Sequence, residues 1–133
     1  MALDKWHGYV RSGNPALLDE LLSEETIFYS PVVFTPQIGA EKIKPYLIAA
    51  SQILFNESFK YTKQIREKSC AMLEFEGTLD RIVVNGVDIV EWDEEDKFIS
   101  FKVMVRPLKG IQILHSRMRE NLQKISDLQQ CPQ

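Results

Sequence analysis

The chain has 133 residues and a mass of 15.4 kDa, a length that suits one domain better than two. Hydrophobic residues at 44% and charged residues at 26% give a globular balance and exclude a disordered or fibrous chain. A net charge of -3 argues against a nucleic-acid partner, which calls for a basic excess, and two cysteines, Cys70 and Cys131, are too few for a disulfide scaffold or a cysteine-based zinc site.

The start, Met1 to Trp6, has no apolar leader core, and no run approaches the ~20 apolar residues of a membrane span. The expectation is a cytoplasmic protein with no membrane partner. With no linker, repeat or low-complexity tract, residues 1–133 read as one domain.

Leu3, Trp6 and Val10 share one face of a first helix, which Ser12-Gly13 interrupts. Asn14-Pro15 restarts it, with Asn14 as cap and Pro15 in the first helical position. Leu17, Leu18, Leu21 and Leu22 form the buried face of this second helix. Thr26 to Ser30 is β-branched and aromatic and reads as a short strand. Pro31 and Pro36 bracket a loop that closes at Gly39. A third helix carries Ile43, Leu47, Ala50 and Leu54 on one face, and Pro45 must sit in its first turn or kink it.

From Phe59 the period changes to two. Phe59, Tyr61 and Ile65 alternate with polar residues, as do Ala71, Leu73, Phe75 and Leu79. Ile82 to Trp92 and Ile99 to Val105 follow as strands, joined by the acidic turn Asp93 to Lys97. Two hairpin turns compete before them, Asp80-Arg81 and the type I′ signal Asn85-Gly86. Beyond Pro107, Ile111, Leu114, Met118, Leu122, Ile125 and Leu128 mark an amphipathic helix. Strands clustered in this way imply antiparallel pairing in an α+β domain.

This order resembles the nuclear-transport-factor-2-like superfamily, which includes ketosteroid isomerases and SnoaL-like polyketide cyclases. The matching stretches are Ser12 to Leu22, Phe28-Tyr29-Ser30-Pro31-Val32 with Gly39 following, Gly86 to Glu94, and Val103 to Pro107. The resemblance implies a cone-shaped curved antiparallel sheet wrapped around helices, with an apolar pocket. It also implies dimerisation through the outer sheet face. The isomerases' general-base aspartate falls on Ser30, their oxyanion tyrosine on Trp6, and their second oxyanion residue, a protonated aspartate, on Asp88. A serine hydroxyl does not abstract a carbon-bound proton unaided. A tryptophan donates one N–H and does not titrate.

Asp88 is the candidate catalytic residue. Alternation puts it on a face with Val84, Val90 and Trp92, where an ionised carboxylate must pair, hydrogen-bond or protonate. Its functional reading is an acid or hydrogen-bond donor in the pocket; its structural reading is a buried aspartate held by Trp6, a tyrosine or backbone groups. Trp6, Tyr9, Ser30, Tyr46, Trp92 and Met104 are the candidate ligand-binding residues. Glu74 and Glu76 would join them only if their strand face turned inward. His7 and His115 lack metal-ligand spacing and read as exposed helix residues. Neither a metal nor a cofactor is called for. The expected partner is a small apolar oxygen-bearing ligand. With Val87 and Ile89 apolar on the other face of the strand, a homodimer is expected as well. Three functions compete: a cofactor-independent isomerase, cyclase or hydrolase, a non-catalytic binding module, and a dimeric interaction module.

Overall fold

The computed structural model describes residues 1–130, with side chains through residue 124. The expected Cys131 thiol, and the side chains of Ile125 and Leu128, lie outside the described residues. Helix α1 (Ala2–Ser12) buries Ala2, Leu3, Trp6 and Tyr9 along one face. Gly13 ends it at φ 69°, the left-handed region that a residue without Cβ enters without penalty. The Asn14 side chain then accepts from the Ala16 N–H and caps α2 (Pro15–Leu21).

Strand β1 (Ile27–Tyr29) follows, its entry fixed by Thr26, whose buried hydroxyl donates to the Phe98 carbonyl at 2.5 Å. The loop after it contains a strand that composition did not signal, β2 (Gln37–Ile38), paired antiparallel with β1. Helix α3 (Ala40–Leu54) carries Pro45 inside it, past the first turn. Strands β3 (Lys60–Arg66), β4 (Cys70–Leu79), β5 (Ile82–Trp92) and β6 (Phe98–Arg106) then lead to α4 (Leu108–Gln130).

The sheet order is β2-β1-β6-β5-β4-β3. The expectation of purely antiparallel pairing is corrected at one place: β1 runs parallel to β6, with Ile27 opposite Ser100, so the curved, open sheet is mixed. Parallel neighbours need a long crossover. Helix α3 and the three strands after it supply that connection.

The β4–β5 hairpin turns at Asp80-Arg81. Both residues have positive φ, 48° and 71°, as a two-residue I′ loop requires. Asn85-Gly86 is therefore strand, and its glycine has another cause. A Cβ on Gly86 would collide with the Phe75 ring and stand 2.6 Å from the Met104 carbonyl oxygen. In β3 a register shift between Tyr61 and Lys63 reverses the side-chain alternation. Tyr61 pairs with inward Phe75, whereas Ile65 pairs with outward Met72, so the two do not share a face.

The helices cover one face of the sheet. One buried cluster joins Trp6, Leu18, Ile43, Leu73, Val90 and Phe101 across α1, α2, α3 and the sheet. A second joins Ile53, Leu54, Leu79, Val84 and Leu114, which seats α4 on that same inner face. On the outer face Ile65, Met72, Val83 and Met104 remain exposed. Among the described residues no helix is long and apolar enough to cross a membrane.

Candidate functional site

Strand β5 alternates cleanly, with Val84, Asp88, Val90 and Trp92 buried and Val83 and Glu91 exposed. Asp88 is thus carried inward between its cross-strand neighbours Leu73 and Val103 and is 6% exposed. Two aromatic side chains reach it in series. The Trp6 indole N–H donates to the Tyr61 hydroxyl oxygen at 2.9 Å, and the Tyr61 hydroxyl donates to Asp88 Oδ2 at 2.8 Å. Helix α1 supplies Trp6, and the β3 bulge turns Tyr61 inward to meet it.

Burial raises the Asp88 pKa from 3.8 to about 7, and the Tyr61 bond opposes this only partly. Tyr61 is held well above its usual value, first by burial and then by the Asp88 charge, so it stays a neutral hydroxyl. His7, expected to be exposed, is half-buried and meets the Tyr61 ring edge-on at 5.5 Å. Burial, ahead of its bond to Gln64, lowers its pKa.

Asp88 lines an apolar cavity of about 70 Å³, walled also by Trp6, Ser30, Tyr46, Phe55 and Leu114. Asp88 is the charged side chain of this wall among the described residues. Among the described residues its second oxygen, Oδ1, has no protein partner. Among those residues no fully enclosed side-chain oxygen lacks one, so Oδ1 borders open space, and the cavity is the open space that Asp88 lines. Ser30 Oγ accepts from the Val32 N–H at 3.0 Å, holding the loop at the cavity rim.

Of the candidates read from the sequence, the fold brings Trp6, Ser30, Tyr46 and Asp88 to one cavity. Three others lie elsewhere. Tyr9 is buried in the core with its hydroxyl donating to Ser51 at 2.9 Å, and Trp92 is buried at the end of β5. Met104 is 48% exposed on the outer face, because alternation along β6 turns Val103 inward instead. Glu74 points outward and accepts from Asn85. Tyr61 is a site residue that the sequence reading misses. Its signal is an aromatic residue opening an otherwise polar strand, and the bulge that aims it has no mark in the sequence. Among the described residues no three metal-binding side chains cluster.

No protein-family model and no curated protein matches the chain. Solved structures do match. A steroid delta-isomerase from Pseudomonas aeruginosa is 28% identical with a TM-score of 0.87, over 94% of this chain and 91% of that one. A protein with a cystatin-like fold from Silicibacter pomeroyi is 23% identical with a TM-score of 0.85, over 96% and 90%. A protein described as a SnoaL-like polyketide cyclase from Shewanella denitrificans is 12% identical with a TM-score of 0.62, over 90% and 97%. Ketosteroid isomerase-like and NTF-2-like proteins are also among the matches. The chain has the cystatin-like, nuclear-transport-factor-2-like fold that the order of its elements implied.

Proposed function

We propose that the cavity binds a small, mostly apolar molecule carrying an oxygen, and that Asp88 meets that oxygen as an acid and hydrogen-bond donor. The observation that carries this reading is a buried carboxyl with a pKa of about 7, one oxygen free, in an apolar wall. A group poised near the operating pH both gives and takes protons well. Likeness to a steroid delta-isomerase favours cofactor-independent isomerisation over cyclisation or hydrolysis.

Size limits the ligand. A cavity of about 70 Å³ is small beside sites for drug-sized ligands, which run to roughly 300–1,000 Å³. A steroid does not fit without movement of α4, whose Leu114 and Met118 close one side. A second reading, binding without turnover, is favoured by one observation: Ser30 stands where the isomerases carry a base, and no second acid lines the wall among the described residues. The third feature of the proposal is a homodimer formed through the outer sheet face.

Cyclopentanone in D2O separates these readings. Saturation-transfer NMR reports binding, and deuterium entry beside the carbonyl reports proton transfer. Binding should weaken as pH rises through about 7, because only protonated Asp88 donates. Asp88→Ala should lose about tenfold in affinity, the worth of one hydrogen bond. Exchange that Asp88→Asn abolishes marks an enzyme; binding without exchange marks a binding module. No binding to the wild-type protein at any pH overturns the pocket reading.

A further inference from the structure

We propose that Trp6 and Tyr61 are positioning residues that fix the Asp88 proton on Oδ1, the oxygen at the cavity, and keep it off Oδ2. The inference rests on the reading of Asp88 as a donor to a ligand in that cavity, and it says how the donor is aimed.

The argument is one of donor and acceptor capacity. An indole nitrogen only donates, so the 2.9 Å bond from Trp6 must end on a lone pair of the Tyr61 oxygen. The Tyr61 hydroxyl has one proton of its own. With its oxygen already accepting from Trp6, that proton goes to the remaining partner, Asp88 Oδ2 at 2.8 Å. The direction of the whole chain is therefore set by its first member. Oδ2 accepts, and a carboxyl oxygen that accepts along this line is the carbonyl oxygen of the protonated acid. The acid proton is left for Oδ1, which has no protein partner among the described residues and borders the cavity.

Among the described residues the groups packed about Asp88 are mostly hydrocarbon, with the Ser30 hydroxyl as a further polar group of the cavity wall. Asp88 stands between the hydrocarbon side chains of Leu73 on β4 and Val103 on β6. From α4 the cavity wall receives Leu114 and Met118, and from α3 it receives Leu47 and Tyr46, the other titratable group on the wall. His7 on α1 meets the Tyr61 ring edge-on. Tyr61 itself does not line the cavity, so its effect on a ligand passes through Asp88. Without the chain the carboxyl group is free to present either a donor or an acceptor to the cavity. With it, the neutral form presents a donor.

The test is the direction in which the Asp88 midpoint moves in Tyr61→Phe, followed by NMR of 13C-labelled aspartate Cγ in the ligand-free protein. If Tyr61 donates to Asp88, its bond favours the ionised form, and its loss raises the midpoint by about one pH unit. If neutral Asp88 instead donates to Tyr61, the substitution removes a bond from both forms, since the ionised carboxylate still accepts from Tyr61, and the midpoint stays nearly unchanged. A fall, or no change, overturns the proposal. Trp6→Phe should move the midpoint the same way by less, since it weakens the chain without cutting the last bond.

A second measurement needs no substitution. At pH 6, where ordinary carboxylates are ionised, the infrared carbonyl band of protonated Asp88 should lie at the lowered frequency of a hydrogen-bonded carbonyl. A band at the frequency of a free acid carbonyl overturns the proposal. Neither measurement uses a ligand. Failure here leaves the cavity reading standing, and failure of cyclopentanone to bind leaves the proton placement standing.

Discussion

Among the described residues an ionised Asp88 has one hydrogen bond, from Tyr61, in a mostly apolar setting, and that bond does not return its pKa to 3.8. The consequence for stability has a definite sign. In the unfolded chain the carboxyl ionises near 3.8, and in the folded chain near 7. Between these values the native state holds the extra proton, so stability from this group is full below about pH 4 and is lost as pH rises to 7. The gap corresponds to a loss on the order of 4 kcal/mol. Asp88→Asn removes the titration and suits the hydrogen-bond chain, its amide oxygen accepting from Tyr61 and its NH2 facing the cavity. We expect urea denaturation to show wild-type stability declining relative to Asp88→Asn from pH 4 to 7, with the variant the more stable at pH 8. A constant difference across that range would contradict the raised pKa. Gly86 makes the opposite case, a residue fixed by crowding and not by charge. Gly86→Ala forces the Phe75 ring and the β6 backbone apart and should destabilise by about 2–3 kcal/mol in the same assay.

Among the elements, α4 decides how large a molecule the cavity admits. Its Leu114 is 4% exposed and serves both the second core cluster and the cavity wall. Arg117 bonds the Asp80 carboxylate at the β4–β5 turn, and Asn121 donates to Gln52 at 3.1 Å, so the helix is tied down next to the wall. Leu114→Ala should destabilise by roughly 2–4 kcal/mol yet raise affinity for cyclohexanone relative to cyclopentanone, read by the same NMR titration. An unchanged preference would remove α4 from the wall. The helices and the long strands were legible in the sequence because their signals are local: the Leu3-Trp6 spacing, the Asn14-Pro15 cap, the alternation from Ala71 to Leu79 and from Ile82 to Trp92. The site was legible as far as alternation reached, which put Asp88 inward. What escaped depends on contacts between distant segments. Strand β2 exists because β1 offers it an edge, and β1 lies parallel to β6 across a long connection. Tyr61 reaches Asp88 because a bulge shifts the β3 register, and nothing in Lys60 to Arg66 announces that bulge. Asn85-Gly86 misleads because its glycine answers to the Phe75 ring and not to a turn.

At the scale of the whole molecule, the apolar surface is divided between the two faces of one sheet. The helices occupy the inner face, and α4 joins them there through Leu114 against Val84. The outer face keeps a row running Ile65, Met72, Ile89, Lys102 and Tyr29 across five strands, with Lys63, Glu74, Val87 and Met104 in the next row. Ile65 is 52% exposed, Met72 43% and Met104 48%, and Phe34 projects fully exposed from the loop after β1. An exposed sheet face with this many apolar side chains among its charges suits an interaction surface. The proposed occupant is a second copy, since a two-fold pairing sets the same patch against itself and lets Lys63 of one copy face Glu74 of the other. Sedimentation equilibrium at micromolar concentration should give twice the chain mass of 15.4 kDa. Met104→Lys tests the face directly. The side chain is half in solvent in the single chain, so a charge there costs the isolated fold little, whereas burying it between two copies without a partner is costly. The variant should sediment as a monomer with a far-ultraviolet circular dichroism spectrum unchanged, and with cyclopentanone binding retained, because Met104 and the cavity lie on opposite faces of the sheet. A wild-type protein that sediments at 15.4 kDa, or a Met104→Lys variant that stays dimeric, would remove this face from the assembly.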